Sequence, residues 1–162
     1  MRERIVAVVI VLSIPALFMV WTFTGGDPRG QWVLVTHVTD GDTIGVGRGW
    51  RYENVRLIGV DTPETVHPEK PVETFGPEAS DFTGRALEGR KVYLQLEPRN
   101  EYDRYGRLLA YVFLVDGTLF NAELVKQGYA RVIAPSPFRY YKEFKRYEQD
   151  AKKDGLGIWG GK

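Results

Sequence analysis

Four short segments combine carboxylates and arginines at spacings that suit phosphate chemistry. They are residues 40–43 (DGDT), 56–64 (RLIGVDTPE), 75–79 (FGPEA) and 103–107 (DRYGR). Taken singly, each has an ordinary explanation: a turn, a turn or cap, a helix start and a solvated hairpin loop. Only as a set do they indicate a site.

The carboxylates of the set suit a hard divalent cation. Asp42 and Asp61 lie at the ends of β-like runs, where two carboxylates can share one ion. Ca²⁺ takes about six to eight oxygen ligands, so two carboxylates and a backbone carbonyl leave room for water and a phosphate oxygen. Glu64 follows Asp61 by three residues and can hold a water for attack.

The arginines of the set suit a phosphodiester. Arg56 and Arg107 carry planar, permanently charged groups that match two phosphate oxygens at once. Such donors stabilise the charge that gathers on the equatorial oxygens of a pentacoordinate phosphoryl transition state. A Lewis acid, a base and two cationic donors are together the parts of single-metal hydrolysis.

The elements that must position these residues are short strands separated by helices. Alternation and turn residues predict strands at residues 32–35, 43–46, 52–60, 91–96 and 108–115. Five strands with interspersed helices predict a small closed or partly open barrel in an α+β domain, because an open sheet this short would leave edges to protect.

Three helices are expected. Pro77 suits a first helical position and Gly89 ends that helix. For the second helix, we expect Asn121 as N-cap, Phe120 as the hydrophobic residue before it, and Gly128 just beyond the end. The last helix is indicated by apolar residues at helical spacing: Tyr140, Phe144, Tyr147 and Ala151.

Composition sets further bounds. The 162 residues suffice for one domain, and the absence of cysteine excludes disulfides, thiolate metal sites, a cysteine nucleophile and a lipidated cysteine. Setting aside the three arginines and two acids before residue 30 leaves 19 residues of each sign. A protein that grips long duplex DNA is normally basic, so phosphate recognition here should be local to one site.

The N-terminal segment is apolar enough for a membrane. Residues 5–23 carry no charge, and as a helix they would span roughly 28 Å, close to the hydrocarbon thickness of a bilayer. Arg2 and Arg4 precede them, so the positive-inside rule places the following domain on the extracytoplasmic side. We divide the chain into residues 1–24 (signal anchor or cleaved signal peptide, the anchor being favoured), a linker at 25–30 and a domain at 31–162.

From Val33 to Trp159, the chain resembles the staphylococcal nuclease (thermonuclease) family. DGDT, RLIGVDTPE, HPEK, FGPEAS, DRYGR, LAY, NAELVKQG and GIW follow one another in the family's order. The resemblance implies a five-stranded OB-fold β-barrel with three α-helices and one Ca²⁺. It also implies hydrolysis of DNA and RNA to 3′-phosphate products. We expect a monomer that prefers single-stranded substrates.

The resemblance also assigns roles to residues. It implies Asp42, Asp61 and the Thr62 backbone carbonyl as calcium ligands, with Asp40 nearby. It further implies Glu64 as general base. Arg56 and Arg107 would bind the phosphate, Arg107 also assisting the leaving oxygen.

Three further residues are implied as substrate-binding, and two positions depart from the family. Tyr105 would donate a hydrogen bond to a terminal phosphate, Lys70 would lie on a loop beside the substrate, and Arg104 stands where the family often has lysine. Ala134 stands where the family has a nucleotide-stacking tyrosine. Tyr140 or Tyr141 is a candidate to fill that gap.

Other functions remain open at this point. Nuclease-like OB domains also occur as non-catalytic modules that bind nucleic acid or protein, but those have lost the metal and arginine residues that this chain keeps. A membrane-anchored adaptor has no dedicated sequence feature. The sequence leaves open DNA against RNA preference and endo- against exonucleolytic attack.

Overall fold

The computed structural model describes residues 30–48, 51–65, 71–98 and 101–160. Its strands are β1 (Gln31–Asp40), β2 (Thr43–Arg48), β3 (Arg51–Leu57), β4 (Val60–Asp61), β5 (Lys91–Leu96), β6 (Leu108–Phe113) and β7 (Arg131–Val132). Its helices are α1 (Gly76–Leu87), α2 (Phe120–Lys126) and α3 (Tyr141–Lys153), followed by a 3₁₀ turn (Gly157–Trp159). The segment expected to enter a membrane, residues 5–23, lies outside these ranges.

Five strands close into a barrel in the order β1-β2-β3-β6-β5. Neighbours are antiparallel except β3 and β6, which run parallel. Two register shifts, between Val35 and His37 and between Val38 and Asp40, let the long β1 bend from its pairing with β5 to its pairing with β2. The predicted α+β barrel with three helices is confirmed.

The barrel interior is filled by the apolar side chains that alternate along its strands. Val33 and Val35 of β1 and Ile44 and Val46 of β2 are almost completely buried. Phe120 of α2 joins this core and stacks on Phe82 of α1, with ring centroids 5.6 Å apart. The helices therefore pack on the barrel through apolar side chains.

The predicted strand at residues 52–60 is wrong in one respect, because the chain turns inside it. Gly59 adopts a positive φ of 80°, which ends β3 and starts β4. β4 then pairs with β7 in a separate two-stranded sheet, with Asp61 opposite Arg131. Neither this sheet nor β7 was predicted, because two-residue strands carry no periodicity.

The predicted N-cap role of Asn121 is also wrong. Leu119 is the N-cap of α2, and Asn121 lies inside the helix with no exposed surface. Its side-chain amide donates to the carbonyls of Ile58 and Ala110, and its side-chain oxygen accepts from the Val112 amide. Asn121 thus makes hydrogen bonds to buried backbone groups where α2 meets β6. These hydrogen bonds stabilise the fold more than a hydrogen bond at the end of the helix would.

The remaining helix boundaries agree with the sequence pattern. Pro77 lies in the first turn of α1, while Gly89 and Gly128, just beyond α1 and α2, have positive φ. None of the helices among the described residues is long and apolar enough to cross a bilayer.

Replacing Asn121 by alanine should destabilise the domain strongly. The change removes the Asn121 side-chain partner of the Ile58 carbonyl and the Val112 amide, whereas the Ala110 carbonyl still accepts from the Ile58 amide. We therefore expect a loss of about 2–4 kcal/mol in the free energy of unfolding, measured by urea denaturation. Asn54→Ala, at an exposed position of β3, is the control and should cost little. Equal losses for the two variants would contradict the role given to Asn121.

Candidate active site

The turn between β1 and β2 carries the first pair of carboxylates. The Asp40 side chain accepts a hydrogen bond from the Asp42 amide at 3.1 Å, so the two acids are held on one tight turn. Thr83 of α1 donates to the Gly41 carbonyl at 2.7 Å and fixes the turn from behind. A Cβ on Gly41 would come within 2.9 Å of the Thr62 side chain, so the approach to Thr62 requires glycine here.

Asp42 is the most deeply buried acid of the site. Only 4% of it is exposed. One carboxylate oxygen accepts from the Thr62 amide at 2.9 Å and the other from the Thr43 hydroxyl at 3.1 Å. Burial raises the pKa of Asp42 from its ordinary 3.8 to about 7; Arg56 opposes the rise and Asp40 adds to it. Ionised Asp42 therefore carries negative charge that its surroundings compensate only in part.

Arg56 connects the two acids that the sequence paired. From β3, its guanidinium lies 2.9 Å from a carboxylate oxygen of Asp42 and 2.9 Å from one of Asp61. The same group donates to the carbonyls of Leu57 and Val60 at the β3–β4 turn. The structure thus brings Asp42, Asp61 and Arg56 together, with Arg56 cross-linking strand and turn.

Asp61 is placed by a relay of contacts from the last helix. It lies on β4, opposite Arg131 of β7. The amide of Val132 in β7 donates to the buried Glu148 carboxylate of α3 at 2.9 Å. Lys145 and Lys152 pair with the same carboxylate and help to lower the pKa of Glu148 against the effect of its burial. Helix α3 therefore fixes β7, which pairs with the strand that carries Asp61.

Arg107 joins the site through Thr43. Its guanidinium donates to the Thr43 hydroxyl at 3.4 Å, and that hydroxyl donates to Asp42. Asp103 holds Arg107 in place, with 2.7 Å between the Arg107 Nε and a carboxylate oxygen. Burial would raise the pKa of Asp103, but hydrogen bonds from Arg107 and the Tyr105 amide lower it. Asp103 and Thr43 were missed as site residues; both lie inside quoted motifs, but their partners become visible only in the fold.

The structure places the other predicted residues as follows. Glu64 lies three residues beyond Asp61, and its loop is closed by the Glu73 amide, which donates to the Glu64 carbonyl at 2.9 Å. The Glu64 carboxylate accepts from the Thr65 amide. Arg104 and Tyr105 are exposed and contact each other, with 2.7 Å from a guanidinium nitrogen to the phenol oxygen. Lys70 lies outside the described residues.

A cavity of about 740 Å³ opens beside the arginines. Arg56, Arg104, Tyr105 and Arg107 line it, together with Phe138 and other apolar residues. Phe138 packs against the β3–β4 turn: a Cβ on Gly59 would lie 2.6 Å from its ring. Such a lining suits a ligand that has an anionic group and a flat apolar part.

The aromatic residues that line this cavity are Tyr105 and Phe138, and neither Tyr140 nor Tyr141 lines it. Tyr140 instead packs on Tyr111, with centroids 4.8 Å apart, and Tyr141 contacts the Phe138 ring edge-on at 5.6 Å. Phe138 was missed because the segment 134–138 (APSPF) has no periodicity that predicts where its side chains point.

The donor set fits a hard cation. Among the residues that the structure describes, no group of three or more histidine, cysteine or acidic side chains is arranged to hold a metal. Two carboxylates nevertheless meet at the Arg56 guanidinium. Burial raises the pKa of Asp42, and a second cation beside its carboxylate would lower that pKa. Carboxylate oxygens are ligands that Ca²⁺ accepts and that softer metals do not select.

Comparisons with known proteins agree with this geometry. The model of the staphylococcal nuclease homologue family matches residues 54–161. The thermonuclease of Staphylococcus hyicus is 42% identical over 159 residues, covering 96% of this chain and 93% of the relative. That of Staphylococcus intermedius is 39% identical, covering 97% and 98%. Endonuclease YncB of Bacillus subtilis (strain 168) is 39% identical over 129 residues, which are 78% of this chain and 61% of that protein.

The match extends over almost the whole length of both thermonucleases and includes the segments that carry Arg56, Asp61 and Arg107. The chain belongs to the staphylococcal nuclease family and is a hydrolase of the nuclease class.

Proposed function

We propose that this chain is a calcium-dependent nuclease that hydrolyses phosphodiester bonds of DNA and RNA, preferentially single-stranded, and leaves 3′-phosphate products. The observation that carries the proposal is the Arg56 guanidinium between the carboxylates of Asp42 and Asp61. Thr43 links this group to Arg107, and both arginines line one cavity. A non-catalytic binding module would have no need for this arrangement.

The residues to hold Ca²⁺ are Asp42, Asp61 and the Thr62 carbonyl, with Asp40 fixing the turn. When bound, the ion supplies a Lewis acid that offsets the charge of the phosphate. Arg56 would then serve the substrate, its guanidinium donating to phosphate oxygens as well as to Asp42 and Asp61.

The chain's own groups carry the proton transfers. Glu64 takes a proton from the attacking water as its oxygen bonds to phosphorus. The bond from phosphorus to the 5′ oxygen breaks, and that oxygen gains a proton from solvent while Arg107 assists it by donating a hydrogen bond. Arg56 and Arg107 donate hydrogen bonds to the equatorial oxygens as their charge grows, and Arg104 and Tyr105 contact the neighbouring phosphate.

The cavity beside the arginines is proposed to hold the nucleoside next to the scissile phosphate. Its volume and apolar lining suit a base, and Phe138 offers a ring on which a base can stack. A stacking contact accepts every base, and the domain is neutral overall, so most binding energy should come from this site. Lys70 would lie beside the substrate.

We also propose that the domain acts on the extracytoplasmic side of a membrane as a monomer, tethered by residues 5–23. A site with so few protein ligands should bind Ca²⁺ with a dissociation constant of about 10⁻⁴–10⁻³ M, typical of extracellular modules. Cytosolic calcium would leave such a site empty, so the enzyme would become active only after export.

Replacing Glu64 by glutamine should remove hydrolysis without removing the cation. Loss of a general base lowers kcat by about 10²–10⁴-fold, measured on single-stranded DNA at saturating Ca²⁺. Thermal stabilisation by Ca²⁺ should persist, since Glu64 is not a proposed ligand. Glu78→Gln, which makes the same change at an exposed position of α1, is the control. Wild-type kcat in Glu64→Gln would contradict the assignment.

Replacing Asp42 by asparagine should change how stability depends on pH. Because burial raises the folded-state pKa of Asp42 from 3.8 to about 7, the folded chain holds this proton more tightly than the unfolded chain. The free energy of unfolding therefore falls as pH rises through this window. In the presence of a chelator, the melting temperature should fall more between pH 4 and pH 8 for the wild type than for Asp42→Asn. Each kcal/mol of lost free energy of unfolding corresponds to a fall of about 2–4 °C in the melting temperature.

Adding Ca²⁺ at pH 8 completes this experiment. Wild type should gain thermal stability, because the ion compensates the ionised carboxylate, whereas Asp42→Asn should gain little. Asp81→Asn, at an exposed position of α1, should behave as wild type. Identical responses of wild type and Asp42→Asn to both pH and Ca²⁺ would contradict the role of Asp42.

Replacing Phe138 by leucine should weaken substrate binding. Loss of base stacking costs about 1–3 kcal/mol, so KM for a short single-stranded oligonucleotide should rise about 5- to 150-fold with kcat little changed. Phe138→Tyr keeps the ring and should keep KM within a few-fold of wild type. An unchanged KM in a folded Phe138→Leu variant would exclude stacking on this residue.

A further inference from the structure

The outer face of β1 exposes large apolar side chains that the active site does not use. Trp32 and Leu34 alternate with the core residues Val33 and Val35 and therefore point outward. They are 49% and 44% exposed. Two neighbouring large apolar side chains on the solvent-facing side of one strand are not isolated surface residues, and they indicate a contact surface.

Strand pairing extends this surface to both sides. Tyr93 of β5 lies opposite Trp32 and touches it edge-on, with centroids 5.6 Å apart. On the other side, Leu34 is opposite Gly47, and Gly47 is opposite Tyr52 of β3, which is 81% exposed. Residues paired in this way share one face of the sheet. We call Trp32, Leu34, Tyr52 and Tyr93 the outer patch.

The chain enters the domain across this patch. Gly30 lies directly before β1, and a Cβ there would meet the Tyr93 phenol oxygen at 1.9 Å, so the backbone of Gly30 is covered by that ring. The apolar run of residues 5–23 ends seven residues before Gly30. Seven extended residues reach at most about 25 Å. A bilayer that holds the apolar run would therefore lie within about 25 Å of Gly30, at the edge of the outer patch.

The composition of the patch matches the surface of a bilayer. Tryptophan and tyrosine concentrate at the level of lipid headgroups, where an apolar ring and a polar tip are both satisfied. Lys91, exposed and opposite Leu34 on β5, can extend its charged end to phosphate while its stem lies along the patch. Arg90 precedes it and is also exposed.

We propose that the outer patch rests in the headgroup region of the bilayer in which residues 5–23 are anchored, so that the domain lies against the membrane in one orientation. This inference rests on the anchoring part of the proposed function and goes beyond it. A short tether raises the effective concentration of lipid at the patch, so the contact forms without high intrinsic affinity.

The orientation has a consequence for the active site. Strand β1 begins at the patch and ends at Asp40, eight residues beyond Trp32, which is up to about 26 Å in an extended strand. With Trp32 and Leu34 at the headgroups, the carboxylate turn lies at the other end of β1, outside the outer patch. Nucleic acid, which anionic lipids repel, then reaches the site from the aqueous side.

The absence of cysteine allows a direct test by site-directed spin labelling. The full chain, carrying Leu34→Cys or Tyr52→Cys with a nitroxide, is reconstituted into vesicles of phosphatidylcholine and phosphatidylglycerol and isolated by flotation. Collisions of each label with membrane-soluble oxygen and with a water-soluble nickel chelate are measured. A label at Gln149→Cys, exposed on α3, is the aqueous control, and hydrolysis of an oligonucleotide checks folding.

We expect both patch labels to lose collisions with nickel and gain collisions with oxygen relative to the Gln149 label. Adding Trp32→Ser to the Tyr52→Cys chain should shift its label toward the aqueous values. A chain that floats but whose patch labels match the control would overturn the patch and leave the anchor standing. A chain that does not float would overturn both. Nickel protection without an oxygen gain, with spin–spin broadening, would assign the patch to a second copy and overturn the proposal.

Discussion

The ion pairs of Arg56 with Asp42 and Asp61 are the interaction on which the site depends. The three side chains come from β3, from the β1–β2 turn and from β4, so their contacts at 2.9 Å tie the barrel to the small outer sheet. Because Asp42 is buried and its pKa is raised, this part of the fold carries an electrostatic cost that the protein alone does not fully offset. Under the proposed function, a bound cation would remove that cost.

Much of the surrounding structure serves to hold these groups. Thr83 braces the acidic turn from α1, Asn121 closes the backbone next to the β3–β4 turn, and Glu148 fixes β7 against α3. Each is a buried polar side chain that satisfies backbone groups of another element. Polar residues in the core of this domain are thus used for positioning, while the apolar barrel interior provides most of the stability.

The sequence predicted the barrel and its helices because apolar alternation, proline and glycine act over a few residues. Strand β5 was predicted with its observed ends, and Gly128 marked the end of α2. The grouping of Asp42, Asp61, Arg56 and Arg107 was also foreseen, since their motifs made chemical sense only together. Local patterns do not show which group in a distant segment a side chain will contact. Asn121 looked like a cap, and Thr43, Asp103 and Phe138 gained their significance only from contacts with distant segments.

The central claim is that hydrolysis depends on calcium held weakly by this group of residues. It is tested most directly by the initial rate of single-stranded DNA hydrolysis as a function of buffered free Ca²⁺. We expect no hydrolysis in the presence of a chelator and a half-maximal rate at about 10⁻⁴–10⁻³ M free Ca²⁺. A full rate in chelator, or at micromolar free calcium, would contradict it.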